Sequence, residues 1–160
     1  MTDARRLAEL IDRHAAALTL YARQWTRAPD DVVQAAFGKL AGCRTWPDDP
    51  AAWLFRVVRH AAIDAGKAER RRTRREQAVA KPEGWFAPSD GLDTAAAVTA
   101  LDALPLEQRE VIVARLWGGR TLEEIAALAG CSVSTAHRRY EAGIAALRQR
   151  LGEAGSGGTG

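Results

Sequence analysis

A run of short polar and basic side chains near the end of the chain has the chemistry to bind nucleic acid. Thr121 and Glu124 have the spacing of a helix-capping box, and Gly130 suits the left-handed turn that ends a helix. Ser132 can then cap a second helix, whose inward stripe is Ala136, Tyr140, Ile144 and Leu147. These features predict a helix-turn-helix, in which the second helix enters the major groove of DNA.

The outer side of that second helix carries groups that can contact bases and phosphates. Arginine reads guanine, and serine, threonine or histidine adds shorter contacts. The candidate contacts in and around this helix are Arg120, Thr121, Ser132, Ser134, Thr135, His137, Arg138, Arg139 and Glu141. An ordinary helical hairpin with a solvated polar face is the alternative, and His137 could equally be a plain surface residue.

A second basic surface is predicted on a long helix in the first half of the chain. At about 100° per residue, one side of this helix is apolar: Leu54, Val57, Val58, Ala61 and Ala65. The opposite side, here called the basic face, comprises Arg56, Arg59, His60, Ile63, Lys67, Arg70, Arg71 and Arg74. Only Asp64 and Glu69 interrupt the cations. Such a face would neutralise phosphates without specifying sequence, although a merely solvated face is the usual alternative.

The loop before this helix contains Arg44, Thr45 and Trp46. An indole next to a cation can stack on an unpaired base. Trp46 could equally be a satellite core residue, so both interpretations stand at this stage.

Helical periodicity alone places these residues on helices, and no strand-like alternation appears, so the predicted fold is all-α. In the first half, the predicted helices run from about Leu7 to Trp25, from an Asp30 cap to Gly42, and from Ala51 to about Arg75. In the second half, they are Thr94 to Ala103, Leu106 to Trp117, Leu122 to Ala129 and Val133 to about Leu151.

The proline- and glycine-containing segment 76–93 lacks a sustained period and reads as a flexible linker. It divides the chain into two small helical domains, 1–75 and 94–151, the second with four helices. Residues 152–160 are glycine-rich and are expected to form a flexible tail.

Composition narrows the class of protein. The chain has 160 residues, a formal net charge of +3 and a pI near 9.2. No secretion signal or membrane span is evident, so a cytoplasmic protein is expected. Cys43 and Cys131 show no metal-binding spacing, which predicts buried, reduced thiols and neither a metal nor another cofactor.

Catalysis is not expected. His14, His60 and His137 are scattered, and no Ser-His-acid, metal or phosphate-loop pattern accompanies them. The predicted protein is therefore not an enzyme.

Residues 5–151 resemble the extracytoplasmic-function sigma factors of bacterial RNA polymerase, which keep the family's second and fourth conserved regions. Four segments carry the likeness: Asp31–Phe37 (D-x-V-Q-x-x-F), Pro50–Asp64 (A-W-L-x-x-V followed by I-D), Ala103–Val111 (L-P-x-x-x-R-E-V) and the helix-turn-helix. Each motif is only moderately specific, but their shared order and spacing make chance a poor explanation.

The resemblance implies two partners, core RNA polymerase and promoter DNA, with an anti-sigma factor as a further candidate. It implies that one set of residues grips the polymerase clamp: Asp30, Asp31, Gln34 and Lys39. The 44–49 loop and the basic face would open and read the −10 element, and residues 132–141 would read the −35 element. Segment 76–93 would run near the RNA exit path.

Several positions depart from the family pattern. His60 replaces a usual asparagine, Ala35 a usual acidic residue, and the 136–140 segment differs from the typical one, so the promoter sequence does not transfer. The Trp85-Phe86 pair in the linker could dock on a partner or pack between the domains.

Two rival functions stay open. A free-standing helix-turn-helix regulator is the main alternative, but it would leave the Asp31–Phe37 segment and the basic helix without a role. A polymerase-bound adaptor that no longer reads promoters would not need the polar side of the last helix.

Overall fold

The computed structural model describes residues 2–76 and 91–156, and every regular element in these ranges is helical. The helices are α1 (Asp3–Ala22), α2 (Pro29–Ala41), α3 (Pro50–Glu76), α4 (Gly91–Asp102), α5 (Leu106–Ile112), α6 (Leu122–Ala129) and α7 (Val133–Ser156). A π-helical turn, Val113–Trp117, continues α5. The all-α prediction is confirmed, and α1–α3 and α4–α7 are called the N-terminal and C-terminal modules below.

In the N-terminal module, the three helices pack around apolar stripes that amphipathic periodicity predicted. Leu18, Leu40, Leu54 and Val58 have no solvent exposure. Gly42 ends α2, as predicted. The predicted Asp30 cap is wrong, because Pro29 already occupies the first turn and the N-cap is Ala28, which makes no side-chain capping bond. Proline suits that position because its missing N–H would have no helical partner there.

The loop between α1 and α2 begins earlier than predicted, since α1 ends at Ala22 rather than near Trp25. A side chain of α3 holds this loop. The Glu69 carboxylate accepts the Thr26 hydroxyl at 2.7 Å and the Arg27 amide at 3.0 Å. Gly66, one turn earlier on α3, lies so close to the Trp25 carbonyl oxygen that a Cβ would clash with it.

In the C-terminal module, α5, α6 and α7 pack through small residues. A Cβ on Gly143 of α7 would lie 2.9 Å from the Ile112 side chain, so the glycine permits this close approach. Helix α7 extends to Ser156, beyond the predicted end near Leu151 and into the predicted tail. The linker residues 77–90, including Trp85-Phe86, and residues 157–160 lie outside the described residues.

The two modules pack against each other and share one hydrophobic cluster. Tyr21 and Phe55 of the N-terminal module and Val111 to Ala114 of the C-terminal module are all fully buried in it. Cys43 and Cys131, one in each module, are both unpaired and half-buried, so the prediction of buried thiols is wrong.

Candidate nucleic-acid interface

The predicted helix-turn-helix is formed by α6 and α7, and its turn uses the predicted residues. The Thr121 hydroxyl accepts the Glu124 amide at 3.1 Å, and the Glu124 carboxylate accepts the Thr121 amide at 3.2 Å. Gly130 has φ 70°, the left-handed conformation that glycine adopts most readily. The Ser132 hydroxyl accepts the Thr135 amide at 3.1 Å and so caps α7. The N-terminal turn of α7 is thus capped by a side-chain hydrogen bond.

The outward side of α7 is polar and largely accessible. The reading face is defined here as Ser134, Thr135, His137, Arg138 and Glu141, of which only Thr135 is half-buried. On the inward side, Ala136 has no exposure and Leu147 is buried, as predicted. Arg138 donates to the Thr135 hydroxyl at 3.2 Å, which orients the guanidinium towards the N-terminal turn of α7.

Two predicted DNA contacts near α6, Arg120 and Thr121, make contacts within the chain. Arg120 does not join the reading face, because its guanidinium bonds to Glu124 at 3.0 Å and stacks 5.4 Å from the Phe55 ring of the other module. Thr121 is exposed, but its hydroxyl is engaged as the helix cap. Arg139 is half-buried beside the reading face.

Most of the predicted basic face on α3 is exposed. Its accessible cationic side chains are Arg56, His60, Lys67, Arg70, Arg71 and Arg74. Ile63 is half-buried among them. Because these cations lie in a row that solvent can reach, they can neutralise the phosphates of a nucleic acid. Binding of this kind depends strongly on salt concentration.

Arg59 is the exception, and its predicted place on the solvent side of α3 is wrong. Its side chain is only 20% exposed and donates to the Glu110 carboxylate of the C-terminal module, with Nε 2.5 Å from Oε1. The helical wheel assigned Arg59 to the correct side of α3. What the wheel could not show is that another module covers that position.

The loop before α3 presents Arg44 and Thr45 to solvent, whereas Trp46 is half-buried. The Trp46 ring packs against the core cluster and carries the Arg6 guanidinium 4.6 Å from its centroid. Of the two interpretations of Trp46, the described geometry favours the satellite core residue.

A separate set of exposed polar side chains lies on α2, the helix that also buries Val33 and Phe37. Its members, here called the clamp face, are Asp30, Asp31, Gln34 and Lys39, and all four are exposed. Gln34 is three residues from Asp31 and four from Asp30, so these three groups share one side of α2, whereas Lys39 lies five residues beyond Gln34 and further round the helix.

Sequence reasoning missed the polar contact between the modules. The Tyr21 hydroxyl donates to the Glu110 carboxylate at 2.9 Å, beside Arg59. Burial, followed by the adjacent Glu110 charge, raises the pKa of Tyr21 well above its usual value of 10.0. The available signal was Glu110 itself, an acid directly before the apolar run from Val111 to Ala114.

A second titratable group lies near this boundary. The pKa of His14 is lowered, first by burial and then by the positive charges of Arg120 and Arg13, against a smaller opposing effect of Asp49. Because Arg120 belongs to the C-terminal module, the docking of the two modules disfavours the protonated imidazole.

An open cavity of about 260 Å³ also lies between the modules. Its lining comprises Ala52, Arg56 and His60 of α3, and Arg120, Glu124, Ala127 and Leu128 of the C-terminal module. The start of the basic face therefore faces the C-terminal module across this cavity. Within residues 2–76 and 91–156, no group of three His, Cys, Asp or Glu side chains could hold a metal ion.

Comparisons with known proteins agree with the helix-turn-helix geometry. Residues 100–149 match the family model "Sigma-70, region 4", which covers α5, α6 and most of α7. Residues 100–149 are therefore similar to region 4 of the sigma-70 factors. A search of the curated proteins finds no match.

Two solved structures extend the likeness to almost the whole chain. One is the sigma factor RpoE in complex with the anti-sigma factor NepR from Bartonella quintana (TM-score 0.64, 24% identity, covering 90% of this chain and 94% of that one). The other is CnrH in complex with the cytosolic domain of CnrY (TM-score 0.63, 28% identity, 94% and 90% covered). The resemblance to extracytoplasmic-function sigma factors is confirmed. In the part of the chain that the structure describes, no helix has the length and apolarity needed to cross a membrane.

Proposed function

We propose that this chain is a sigma factor, which binds core RNA polymerase and directs initiation at promoters that it recognises through −10 and −35 elements. The observation that carries the proposal is the pairing of two different nucleic-acid surfaces in one chain. The reading face of α7 can contact base edges of duplex DNA, whereas the basic face of α3 can hold phosphates without reading sequence.

The C-terminal module is assigned to the −35 element. Its capped α7 presents Ser134, His137 and Arg138 on one accessible side near the helix start, which is the part of a recognition helix that enters the major groove. Each good side-chain pair with a base edge contributes about 1–3 kcal/mol of discrimination.

The N-terminal module is assigned to polymerase binding and the −10 element. The clamp face is exposed and backed by buried apolar residues, so it can engage a partner without disturbing the core. The Arg44 and Thr45 loop leads directly into the basic face, where a separated strand could be held by its phosphates. In these roles the chain is a DNA-binding regulator and carries out no chemical step itself.

The proposal is tested by in vitro transcription with core polymerase on genomic fragments. We expect specific transcripts only when the chain and core enzyme are combined. Tight sequence-specific binding without polymerase, together with no initiation in its presence, would instead establish a free-standing regulator.

Matched variants test each surface. Asp31→Arg on the clamp face should abolish binding to core enzyme, whereas Asp12→Arg, an equal charge change at an exposed position of α1, should not. Arg138→Ala should cost at least tenfold in transcription from a cognate promoter, and Arg148→Ala, exposed further along α7, should have little effect. If Asp31→Arg and Asp12→Arg bind core enzyme equally well, the role of the clamp face is refuted. If Arg138→Ala and Arg148→Ala give equal transcription, the role of the reading face is refuted.

An anti-sigma factor is a further proposed partner. It is suggested by the complex of RpoE with the anti-sigma factor NepR. Co-purification from the native cell, followed by transcription assays with the captured protein added back, tests this directly. Loss of specific transcripts on addition would support it, and unchanged transcription would count against it.

A further inference from the structure

The contact between the two modules is built around one buried carboxylate. Glu110 is 5% exposed and receives hydrogen bonds from Tyr21 at 2.9 Å and from Arg59 at 2.5 Å and 3.4 Å. Both donors belong to the N-terminal module, so the polar partners of Glu110 lie across the boundary. Charge-assisted bonds of this kind are roughly twice as strong as neutral ones.

Apolar packing surrounds this carboxylate. The Tyr21 ring lies 5.3 Å from the Phe55 ring, centroid to centroid, and both side chains are fully buried. A Cβ on Gly118 would lie 2.7 Å from Phe55 Cζ, so the glycine lets the C-terminal module approach the ring. A second ion pair, Arg23 with Asp102 at 3.2 Å, spans the same boundary at its exposed edge.

The contact engages a residue of the basic face. Arg59 lies between Arg56 and Lys67 along α3, but its guanidinium is taken up by Glu110. A carboxylate and a phosphate present similar oxygen acceptors to a guanidinium. Glu110 and a nucleic-acid phosphate therefore compete for the same group, while Arg56 and His60 face the C-terminal module across the cavity.

We propose that Glu110 is an autoinhibitory latch, which holds the two modules together and withholds Arg59 from nucleic acid until the modules separate. This inference rests on the proposed function for its biological meaning, but the latch itself can be measured in the isolated chain. If only the open form binds DNA fully, the apparent affinity is reduced by the fraction of open molecules.

The latch predicts that removing one charge opens the chain. In Glu110→Gln the shape is retained, but Arg59 loses its ionic partner while still partly buried, which disfavours the closed arrangement. Tyr21→Phe removes only the hydroxyl donor and should open the chain less. Glu107→Gln makes the same charge change on an exposed position of α5 and is the control.

The chain has only two cysteines, one in each module, and this supports a direct measurement of opening. Donor and acceptor dyes on Cys43 and Cys131 report the separation of the modules by energy transfer. We expect transfer to fall in Glu110→Gln, to fall less in Tyr21→Phe, and to match the wild type in Glu107→Gln. Circular dichroism checks that each variant is folded. If Glu110→Gln is not folded, Tyr21→Phe is used to test the latch instead.

Binding to a short labelled DNA duplex of arbitrary sequence is the second readout. We expect Glu110→Gln to bind at least about tenfold more tightly than Glu107→Gln, since both variants carry the same net charge and differ only in the latch. Unchanged energy transfer in folded variants, or equal DNA affinity of these two, would overturn the latch.

The latch and the proposed function fail in different ways. If energy transfer and duplex affinity change as expected but no variant initiates transcription with core polymerase, the latch stands and the sigma role is wrong. If initiation occurs while the two isolated-chain readouts stay unchanged, the sigma role stands and the latch is wrong.

Discussion

Glu69→Ala should destabilise the N-terminal module far more than its position on a cationic helix suggests. Glu69 is one of two acids within the basic face, and electrostatics alone would predict a small effect or a gain in DNA affinity. In the structure its carboxylate instead accepts the Thr26 hydroxyl and the Arg27 amide, and so ties the α1–α2 loop to α3. Thr26 is only 3% exposed, so its hydroxyl would lose its acceptor in a buried place.

The expected loss in the free energy of unfolding of Glu69→Ala can be worked out from these contacts. A hydrogen bond to a charged group contributes about 1.5–3 kcal/mol, and a buried donor without a partner costs about 1–3 kcal/mol. Allowing for partial exposure of Glu69, we expect a loss of about 2–3 kcal/mol in the free energy of unfolding. In a chain of this size, that corresponds to a fall in Tm of roughly 4–12 °C.

Asp64→Ala is the matched control, because Asp64 is an exposed acid on the same helix and its removal changes the net charge equally. Urea unfolding of both variants gives the comparison, and hydrogen exchange of the Arg27 amide reports the loop directly. Asp64→Ala should stay within about 0.5 kcal/mol of the wild type. Equal stabilities, or unchanged protection of Arg27, would refute the role assigned to Glu69.

Two further predictions concern the helix-turn-helix and pH. Thr121→Val should cost about 1 kcal/mol by removing the cap of α6, and Thr121→Ser should restore it, as measured by thermal unfolding. Gly130→Ala should cost about 1 kcal/mol because φ there is 70°; no change in Tm in either variant would contradict the turn geometry. The pKa of His14 is lowered by burial and by Arg120, so the stability it contributes is fully present above pH 6.5 and is lost as the pH falls through the lowered pKa. Unfolding measured on both sides of pH 6.5 should show this loss, and His14→Gln should abolish it; an identical pH profile in that variant would contradict the assignment.

Features encoded locally were predictable from the sequence. The capping box at Thr121, the glycine turn at Gly130 and the serine cap at Ser132 each involve residues within a few positions of one another. Their geometry is therefore fixed by the backbone of one turn. The Asp30 cap failed for an equally local reason, since Pro29 is better suited to begin a helix than to precede its cap.

Features that depend on contacts between distant segments were not predictable in the same way. Tyr21 and Glu110 are 89 positions apart, and no periodicity relates them. A helical wheel identifies the face of α3 that carries cations, but it cannot say which cation meets another helix. Arg59 and Arg120 were both assigned to DNA from the sequence, which could not show that both lie at the boundary between the modules.

Part of the basic face stays exposed while the two modules are in contact, and this affects how the isolated chain binds nucleic acid. Lys67, Arg70, Arg71 and Arg74 are exposed in the closed arrangement, so they can neutralise phosphates without any opening. The closed chain should therefore retain weak, strongly salt-dependent affinity for nucleic acid, because counterion release needs only exposed cations. The surface that opening would add is the start of α3, around Arg56, Arg59 and His60. In the proposed function, separation of the modules would therefore add the start of α3 to a −10 surface that already includes the exposed Arg44 and Thr45 loop and the distal cations.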